Sequence, residues 1–383
     1  MSVTAAQGFR ASGVAAGLKA SGALDVALVV NDGPSTAAAA VYTANRCKAN
    51  PVLWSERVTA DGTARAVVLN SGGANCYTGP EGFATTHATA EQVGELTGVD
   101  AGDVVVCSTG LIGEPLDRAR LGTGVRAAVA ALSAAGGNDA ATAIMTTDTV
   151  TKQSVAAGDG WVVGGMAKGA GMLAPALATM LVVITTDADA DAEQLDAALR
   201  AATRVTFERL DSDGCQSTND TVLLMASGAS GVRPDDGQLA AAVHAVCHDL
   251  AQQLMRDAEG AEHDIAIEVR NAASEDDAVE VGRAVARSNL FKAAVFGRDP
   301  NWGRILAAVG TTSATFEPAE LDVAVNGVWV CQRGRAGQPR ELVDLTAREV
   351  SVIIDLKSGT ASATMWTNDL THAYLHENSA YST

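Results

Sequence analysis

The stretch Met166-Ala-Lys-Gly-Ala-Gly-Met-Leu-Ala-Pro-Ala-Leu-Ala-Thr-Met-Leu181 decides how the fold is read. Its segment Gly169-Ala-Gly171-Met-Leu-Ala174 has the G-x-G-x-x-A spacing of a dinucleotide-binding turn. Such a turn works only where a helix begins inside it and aims its N-terminus at a pyrophosphate. Here Pro175 intervenes, and the apolar run Met180-Leu-Val-Val-Ile-Thr-Thr186 follows. Trp161–Met166, on the other side, is a second apolar run of strand length. The stretch therefore reads as strand, Gly/Pro loop, strand. At the edge of the second strand stands Ala178-Thr179, a small residue followed by a hydroxyl. The residues alone leave two readings open. One is a plain strand start. The other is a self-cleaving site, in which Thr179 Oγ attacks the Ala178 carbonyl and an N→O acyl shift and hydrolysis cut the chain. The freed α-amine, with a pKa of about 7.7–8.0, would then act as base for its own hydroxyl. No G-x-S-x-G elbow competes for the nucleophile role.

Working outward, the chain has 383 residues, enough for two or three domains at roughly 100–200 residues each. With 47% hydrophobic and 19% charged residues it is a globular composition, not a disordered one. Its 27 basic and 45 acidic residues give a net charge of −18. That sum, with no basic cluster to offset it, argues against nucleic acid and against anionic membranes as partners. It does not exclude a small anionic substrate, because one buried lysine can reverse the field locally. No apolar run reaches the roughly 18 residues of a membrane span, and the start of the chain shows no secretory pattern. The six cysteines (Cys47, Cys76, Cys107, Cys215, Cys247 and Cys331) are scattered without a C-x-x-C pair. That pattern predicts reduced thiols in a cytoplasmic protein, with no metal and no bound cofactor.

Periodicity predicts strands at Leu24–Asn31, Ala66–Asn70, Val104–Ser108, Trp161–Met166, Thr179–Thr185 and Ile265–Arg270. Further short strands follow at Leu321–Val325, Val328–Gln332, Ser351–Leu356 and Ala361–Thr367. It predicts helices at Ala84–Leu96, Arg118–Ala135, Asp191–Ala202, Asp236–Asp257 and Asp276–Asn289, with Asp191 and Asp236 as N-caps. The first 110 residues otherwise read mainly as strands and turns. Elements of both kinds alternate without a strict βαβ rhythm, so the expected class is layered α/β (mixed α+β) with mixed sheets. The expected division is a main lobe over 1–255 and a C-terminal lobe over 256–383.

Several ordered motifs resemble one family. Lys168-Gly-Ala-Gly-Met-Leu-Ala-Pro175 with Ala178-Thr179-Met-Leu181 is similar to the self-cleavage motif of the ornithine acetyltransferase (glutamate N-acetyltransferase) family. Gly8-Phe-Arg-Ala-Ser-Gly-Val-Ala-Ala-Gly-Leu-Lys19, Cys47-Lys-Ala-Asn-Pro51, Asn70-Ser-Gly-Gly-Ala-Asn-Cys76, Cys107-Ser-Thr-Gly-Leu-Ile-Gly113 and Met145-Thr-Thr-Asp-Thr149 also match. So do Asp211-Ser-Asp-Gly214, Ser217-Thr-Asn-Asp-Thr221, Gly297-Arg-Asp-Pro-Asn-Trp-Gly-Arg304 and Asn378-Ser-Ala-Tyr-Ser-Thr383. The resemblance runs the whole length. It implies an αββα sandwich akin to aminopeptidases of the N-terminal-nucleophile type, with a smaller C-terminal α/β lobe. It also implies cleavage into an α chain of residues 1–178 and a β chain of residues 179–383, assembled as an α2β2 heterotetramer.

The same resemblance implies roles. Thr179 matches the nucleophile, and Thr109 and Gly110 the oxyanion pair, where each donor is worth about 3 kcal/mol in the transition state. Without the family, Ser108-Thr-Gly110 is a turn after a strand. Thr146, Lys168, Glu259, Asn378 and Thr383 match substrate contacts, with Lys168 suited to an amino-acid carboxylate. Glu259 suits the δ-ammonium of ornithine and is correspondingly awkward for glutamate. Thr383, as the last residue, would add a terminal carboxylate. Where relatives usually have Asp-Gly-Glu-Gly-Ala-Thr-Lys, this chain has Asp257-Ala-Glu-Gly-Ala-Glu-His263, which puts the surroundings of Glu259 in question. Arg298 stands where relatives often have an acid. The turns at Asn219-Asp-Thr221 and Asp299-Pro-Asn-Trp-Gly303 read as structural support.

The expected activity is acetyl transfer from N2-acetyl-L-ornithine to L-glutamate in arginine biosynthesis. An acetyl-Thr179 ester forms, ornithine leaves, and N-acetylglutamate is released, in ping-pong order. Acetyl-CoA is a candidate co-substrate. Two alternatives stand beside it: a hydrolase or aminopeptidase of the same fold, and a non-cleaving, non-catalytic assembly protein.

Overall fold

The computed structural model describes residues 2–174 and 180–380. The first run of elements is β1 (Phe9–Val14), β2 (Val26–Asn31), β3 (Ala38–Tyr42), α1 (Asn50–Val58), β4 (Ala66–Asn70), α2 (Gly79–Thr97), β5 (Val104–Ser108), α3 (Arg118–Ala130) and α4 (Gly137–Ala143). Then come β6 (Lys152–Ala157), β7 (Val162–Lys168), β8 (Leu181–Thr186), α5 (Ala192–Val205), β9 (Thr221–Ala226) and α6 (Asp236–Arg256). The last run is β10 (Asp264–Ala272), α7 (Glu275–Ala286), α8 (Asn289–Phe296), α9 (Trp302–Val309), β11 (Asp322–Val325), β12 (Val328–Gln332), β13 (Arg335–Ala336), β14 (Glu349–Asp355), β15 (Ala361–Asn368) and α10 (His372–Ala380).

Two sheets build the main body. One has the order β1-β2-β4-β5, the other β3-β9-β8-β7-β6. Each contains one parallel pair, β4 with β5 and β8 with β9, in an otherwise antiparallel ladder. The inner strands β2, β4, β8 and β9, with β5, are buried along their whole length because both faces of each sheet are covered, whereas the edge strands β1 and β6 carry polar residues. Successive side chains point to opposite faces. Ala27, Val29, Val67, Leu69, Val105 and Cys107 thus meet Met166, Leu181, Val183, Leu223 and Met225 of the other sheet in one core between the sheets. Their alternates, such as Leu28, Val68 and Val106, pack under α2 and α3. Val182, Ile184, Val222 and Leu224 pack under α5 and α6. Helices, sheet, sheet, helices is the expected αββα order.

A third sheet, β13-β12-β11-β14-β10-β15, has a core of its own with α7, α8 and α9. It is tied to the sandwich by buried polar contacts. Asn368 Nδ2 donates to the carbonyls of Met255 and His263, at 3.1 and 3.2 Å, and its Oδ1 accepts from Ser212 Oγ at 2.9 Å.

Several boundaries differ from those read off the sequence, each for a local reason. The helix expected over Arg118–Ala135 ends at Ala130, because Ser133 exchanges both backbone hydrogen bonds with Ala11 at 3.0 Å. The cap of α6 is Asp235, one residue before the expected Asp236. Its side chain accepts from Gln238 N while Gln238 reaches back, closing a capping box. The helix expected over Asp276–Asn289 is two helices, because the Ser288 hydroxyl accepts from Phe291 N and starts α8 afresh. Helices α1, α4, α9 and α10 escaped the periodicity reading. Asp191 caps α5, as expected, and the structure adds a capping box with Gln194. No helix forms over 169–174.

Leu223 is fully buried between the two sheets. Leu223→Ala should cost about 2–5 kcal/mol, visible as a lower thermal midpoint at fixed protein concentration. A midpoint equal to the parental one would contradict the two-sheet core.

Candidate active site

The site grows from strand ends that the two sheets bring to one edge. In the first sheet β5 stops at Ser108, and Thr109-Gly110 turns away against the Asn70–Asn75 loop. Thr109 N donates to Asn70 O, and Gly73 N to Thr109 O, each at 2.9 Å. Asn219 Nδ2 locks the turn from the other sheet, donating to Ser108 O at 2.8 Å and Ala74 O at 2.7 Å. Gly110 has φ +132°, and a Cβ there would lie 2.8 Å from both N and Cα of Gly73. Only glycine fits. Among the described residues its N–H has no acceptor.

In the second sheet β7 ends on Lys168, which is buried, and its Nζ donates to Thr109 Oγ1 at 3.3 Å. Burial lowers the Lys168 pKa, while Asp148, Asp220 and Glu259 pull it back up against Lys152. Because an ammonium only donates, Thr109 Oγ1 must accept from it, which leaves the Thr109 proton free for another acceptor.

Beneath Lys168 lies a charge cluster. Asp148 accepts from Lys152 Nζ at 2.7 Å, from Gly169 N at 2.7 Å and from Thr146 N at 2.9 Å. Lys152 Nζ also reaches Asp257 at 2.5 Å, and Asp257 accepts from Thr149 N at 3.0 Å. Burial alone would raise the Asp148 pKa. Lys168 and Lys152 outweigh that effect and hold it down to about 2. Two residues beyond Asp257, Glu259 accepts from Thr147 Oγ1 at 2.8 Å and Asn378 Nδ2 at 3.1 Å. A Cβ on Gly171 would sit 2.6 Å from Glu259 Oε1, so the glycine leaves room for the carboxylate.

Thr109, Gly110, Thr146, Lys168, Glu259 and Asn378 thereby line a single cavity of about 120 Å³, with Gly171, Asp213 and Tyr374 in its wall. Ala178, Thr179 and Thr383 lie outside the described residues. The chain on either side of the expected cut is nevertheless anchored. Lys168 pairs with Leu181 in the sheet, and Met180 N donates to the buried Asp220 Oδ1 at 3.2 Å.

Sequence reasoning missed the cluster that supports this site. Asp148 and Asp257 were visible only inside motifs, and Lys152 gave no signal, because only the fold brings 148, 152 and 257 together. The departure around Glu259 also resolves. His263 is buried, with Nδ1 2.7 Å from Asp369 Oδ2 and Nε2 3.2 Å from Leu345 O, so it supports the third sheet and does not touch Glu259. Arg298 sits exposed after α8 in a left-handed conformation, and nothing in the structure explains its charge. Among the described residues, no group of His, Cys, Asp or Glu is placed to hold a metal, and no helix is long and apolar enough to cross a membrane.

An αββα frame that gathers a buried lysine, hydroxyls and an open backbone N–H at its strand ends defines a layered α/β enzyme with a small polar site. A sequence model of the ArgJ family matches residues 10–383. The arginine biosynthesis bifunctional protein ArgJ of Streptomyces avermitilis is 65% identical, with 100% of each chain covered. The protein of that name from Thermobifida fusca is 61% identical, again over 100% of both chains. A solved ornithine acetyltransferase from Mycobacterium tuberculosis, complexed with ornithine, is 55% identical over 47% of this chain and 96% of that one, at a TM-score of 0.45. The chain belongs to the ArgJ family.

The Asp148 cluster makes a pH-dependent prediction. The folded pKa of about 2 lies below the ordinary carboxylate value. Asp148 therefore stabilises the fold above pH ~4, and that contribution fades as pH falls through the folded value. Asp148→Asn should cost about 3–5 kcal/mol at neutral pH, since it leaves buried lysines short of a partner. It should also flatten the acid-side fall of the thermal midpoint. A variant with the parental midpoint and acid slope would contradict the role given to Asp148.

Proposed function

We propose that this protein is a glutamate N-acetyltransferase of the ornithine acetyltransferase type. It cuts itself between Ala178 and Thr179 and then carries the acetyl group on Thr179. The observation that carries this reading is the single cavity in which Thr109, Gly110, Thr146, Lys168, Glu259 and Asn378 meet. Apart from the adjacent Thr109 and Gly110, these residues are far apart in sequence. Full-length relatives named for arginine biosynthesis, and a relative solved with ornithine, support the substrate class.

In the first half-reaction, the Thr179 α-amine takes the hydroxyl proton and Oγ bonds to the acetyl carbonyl carbon of N2-acetyl-L-ornithine. The oxyanion receives the Thr109 hydroxyl, freed for this by Lys168, and the Gly110 N–H. The C–N bond breaks, the amine nitrogen takes the proton, and ornithine leaves an acetyl-Thr179 ester. In the second half, the glutamate amine attacks the ester carbonyl, Thr179 Oγ recovers its proton, and N-acetylglutamate departs. Lys168 provides the positive charge for the α-carboxylate of either amino acid, and Glu259, oriented by Thr147 and Asn378, receives the ornithine δ-ammonium. Thr383 is assigned a further substrate contact. The acetyl group is recycled without a cofactor, and acetyl-CoA is a candidate second donor. The α and β chains, which share the strands of the sheet β3-β9-β8-β7-β6, assemble as α2β2 in the cytoplasm.

Thr179→Ala should yield one uncut chain with no release of ornithine. Cleavage between residues 178 and 179 in that variant would overturn the nucleophile assignment. Thr109→Val should cut kcat by about 100- to 1,000-fold. In the parental protein, sustained ornithine release from N-acetylornithine should require glutamate. Release equally fast without glutamate, with free acetate accumulating, would make the enzyme a hydrolase.

A further inference from the structure

Acetyl transfer between ornithine and glutamate poses a charge problem at a shared site. The donor's side chain ends in an ammonium, the acceptor's in a carboxylate. Glu259 suits the first and repels the second, so the acceptor's side chain needs another place.

A second cavity, of about 300 Å³, opens directly beside the first and shares Asp213, Glu259 and Tyr374 with it. Its far side carries Lys292, from α8, and Arg287, from the break between α7 and α8. Lys292 is 6% exposed, and its Nζ donates to the carbonyl of Ser212. Among the described residues, no carboxylate oxygen lies within 4.0 Å of that ammonium, unlike the Lys152 ammonium nearby, which holds two. A buried ammonium with donors to spare calls for an anion.

The acids around the same cavity are already occupied. Asp369 holds the His263 ring and accepts from the backbone N–H groups of Glu262 and His263. Asp213 accepts from Leu173 N at 3.4 Å and Cys215 N at 3.0 Å, and burial raises its pKa. Glu259 faces Thr147 and Asn378. Arg287 is exposed at the rim and anchored only through Nε, 2.7 Å from Asp211 Oδ2, and its two Nη groups have no protein partner among the described residues. Among the charged groups of this cavity, those with open hydrogen-bonding capacity are therefore the cations.

We propose, resting on the acetyltransferase reading above, that Lys292, assisted by Arg287, receives the side-chain carboxylate of the acceptor amino acid. Glu259 then divides one cleft into two side-chain subsites of opposite charge, with a common place for the α-carboxylate and the reacting amine at Lys168. The sequential order of the two half-reactions lets each amino acid use its own branch.

The test separates the half-reactions in the intact, processed enzyme. In Lys292→Met, the burst of ornithine from N-acetylornithine should keep its parental rate and size, while the KM for glutamate rises about 10- to 100-fold. Glutamine, which lacks the side-chain carboxylate, should gain on glutamate relative to the parental enzyme. A glutamate KM within about twofold of the parental value, or a burst that falls in step with transfer, would overturn the subsite. Should Lys292→Met not fold, a crystal structure of the parental enzyme with L-glutamate reads the same claim. The side-chain carboxylate should lie within hydrogen-bond distance of Lys292 Nζ, and its placement against Glu259 would overturn the subsite. That ligand position is independent of turnover. Glutamate seated at Lys292 in a protein that transfers no acetyl group would therefore remove the proposed function and leave the subsite standing.

Discussion

The ion pair between Asp148 and Lys152 is fully withdrawn from water, and three separate stretches of chain hang from it. Through Asp148 it fixes the Thr146-Thr147 turn and the Lys168-Gly169 turn. Through Lys152 it reaches Asp257, two residues before Glu259. Taking such charges out of water costs several kcal/mol per ion. Complete hydrogen bonding offsets that cost without a large surplus, so the cluster serves position more than stability. It sets the height of Lys168 over Thr109 and the reach of Glu259 into the cleft. Remove one member and the remaining charges are buried and unmatched, which is why the site and the local fold fail together.

That cluster also resolves the contrast between a chain of net charge −18 and a reaction on amino-acid carboxylates. The excess acid lies largely on solvated surfaces, where screening makes it a weak force on a small ligand. Inside, three lysines are buried: Lys152, Lys168 and Lys292. Lys152 is consumed by two carboxylates. Lys168 and Lys292 are not, and they stand in the two adjoining cavities where the amino acids are proposed to bind. Distribution, not the sum, governs what such a protein can hold.

The parts of this architecture legible in the sequence are those that depend on local pattern. The strand–loop–strand character of 161–186, the N-cap at Asp191 and the buried runs of β4 and β5 are written in periodicity and turn chemistry. Thr109, Gly110, Thr146, Lys168, Glu259 and Asn378 were found through ordered motifs of a family, and their common cavity is a product of the fold. What stayed hidden depends on contacts across long sequence separations. Ser133 ends a helix because Ala11 pairs with it, and the helix that carries Lys292 into the cleft starts where the Ser288 hydroxyl caps it afresh. Lys152 looks like any strand lysine until Asp257 comes to meet it. Helix α10, which brings Tyr374 and Asn378 to the site, has too little apolar periodicity to announce itself.

The central claim is that Thr179, freed by self-cleavage, carries the acetyl group between two amino acids. Mass spectrometry of the purified protein, before and after a brief exposure to N-acetylornithine without acceptor, addresses it most directly. The account predicts two chains, one of them beginning Thr-Met-Leu, and the mass of one acetyl group added to that chain at Thr179 and lost again when glutamate is supplied. A single intact chain, or an acetyl group found on any other residue, would contradict it.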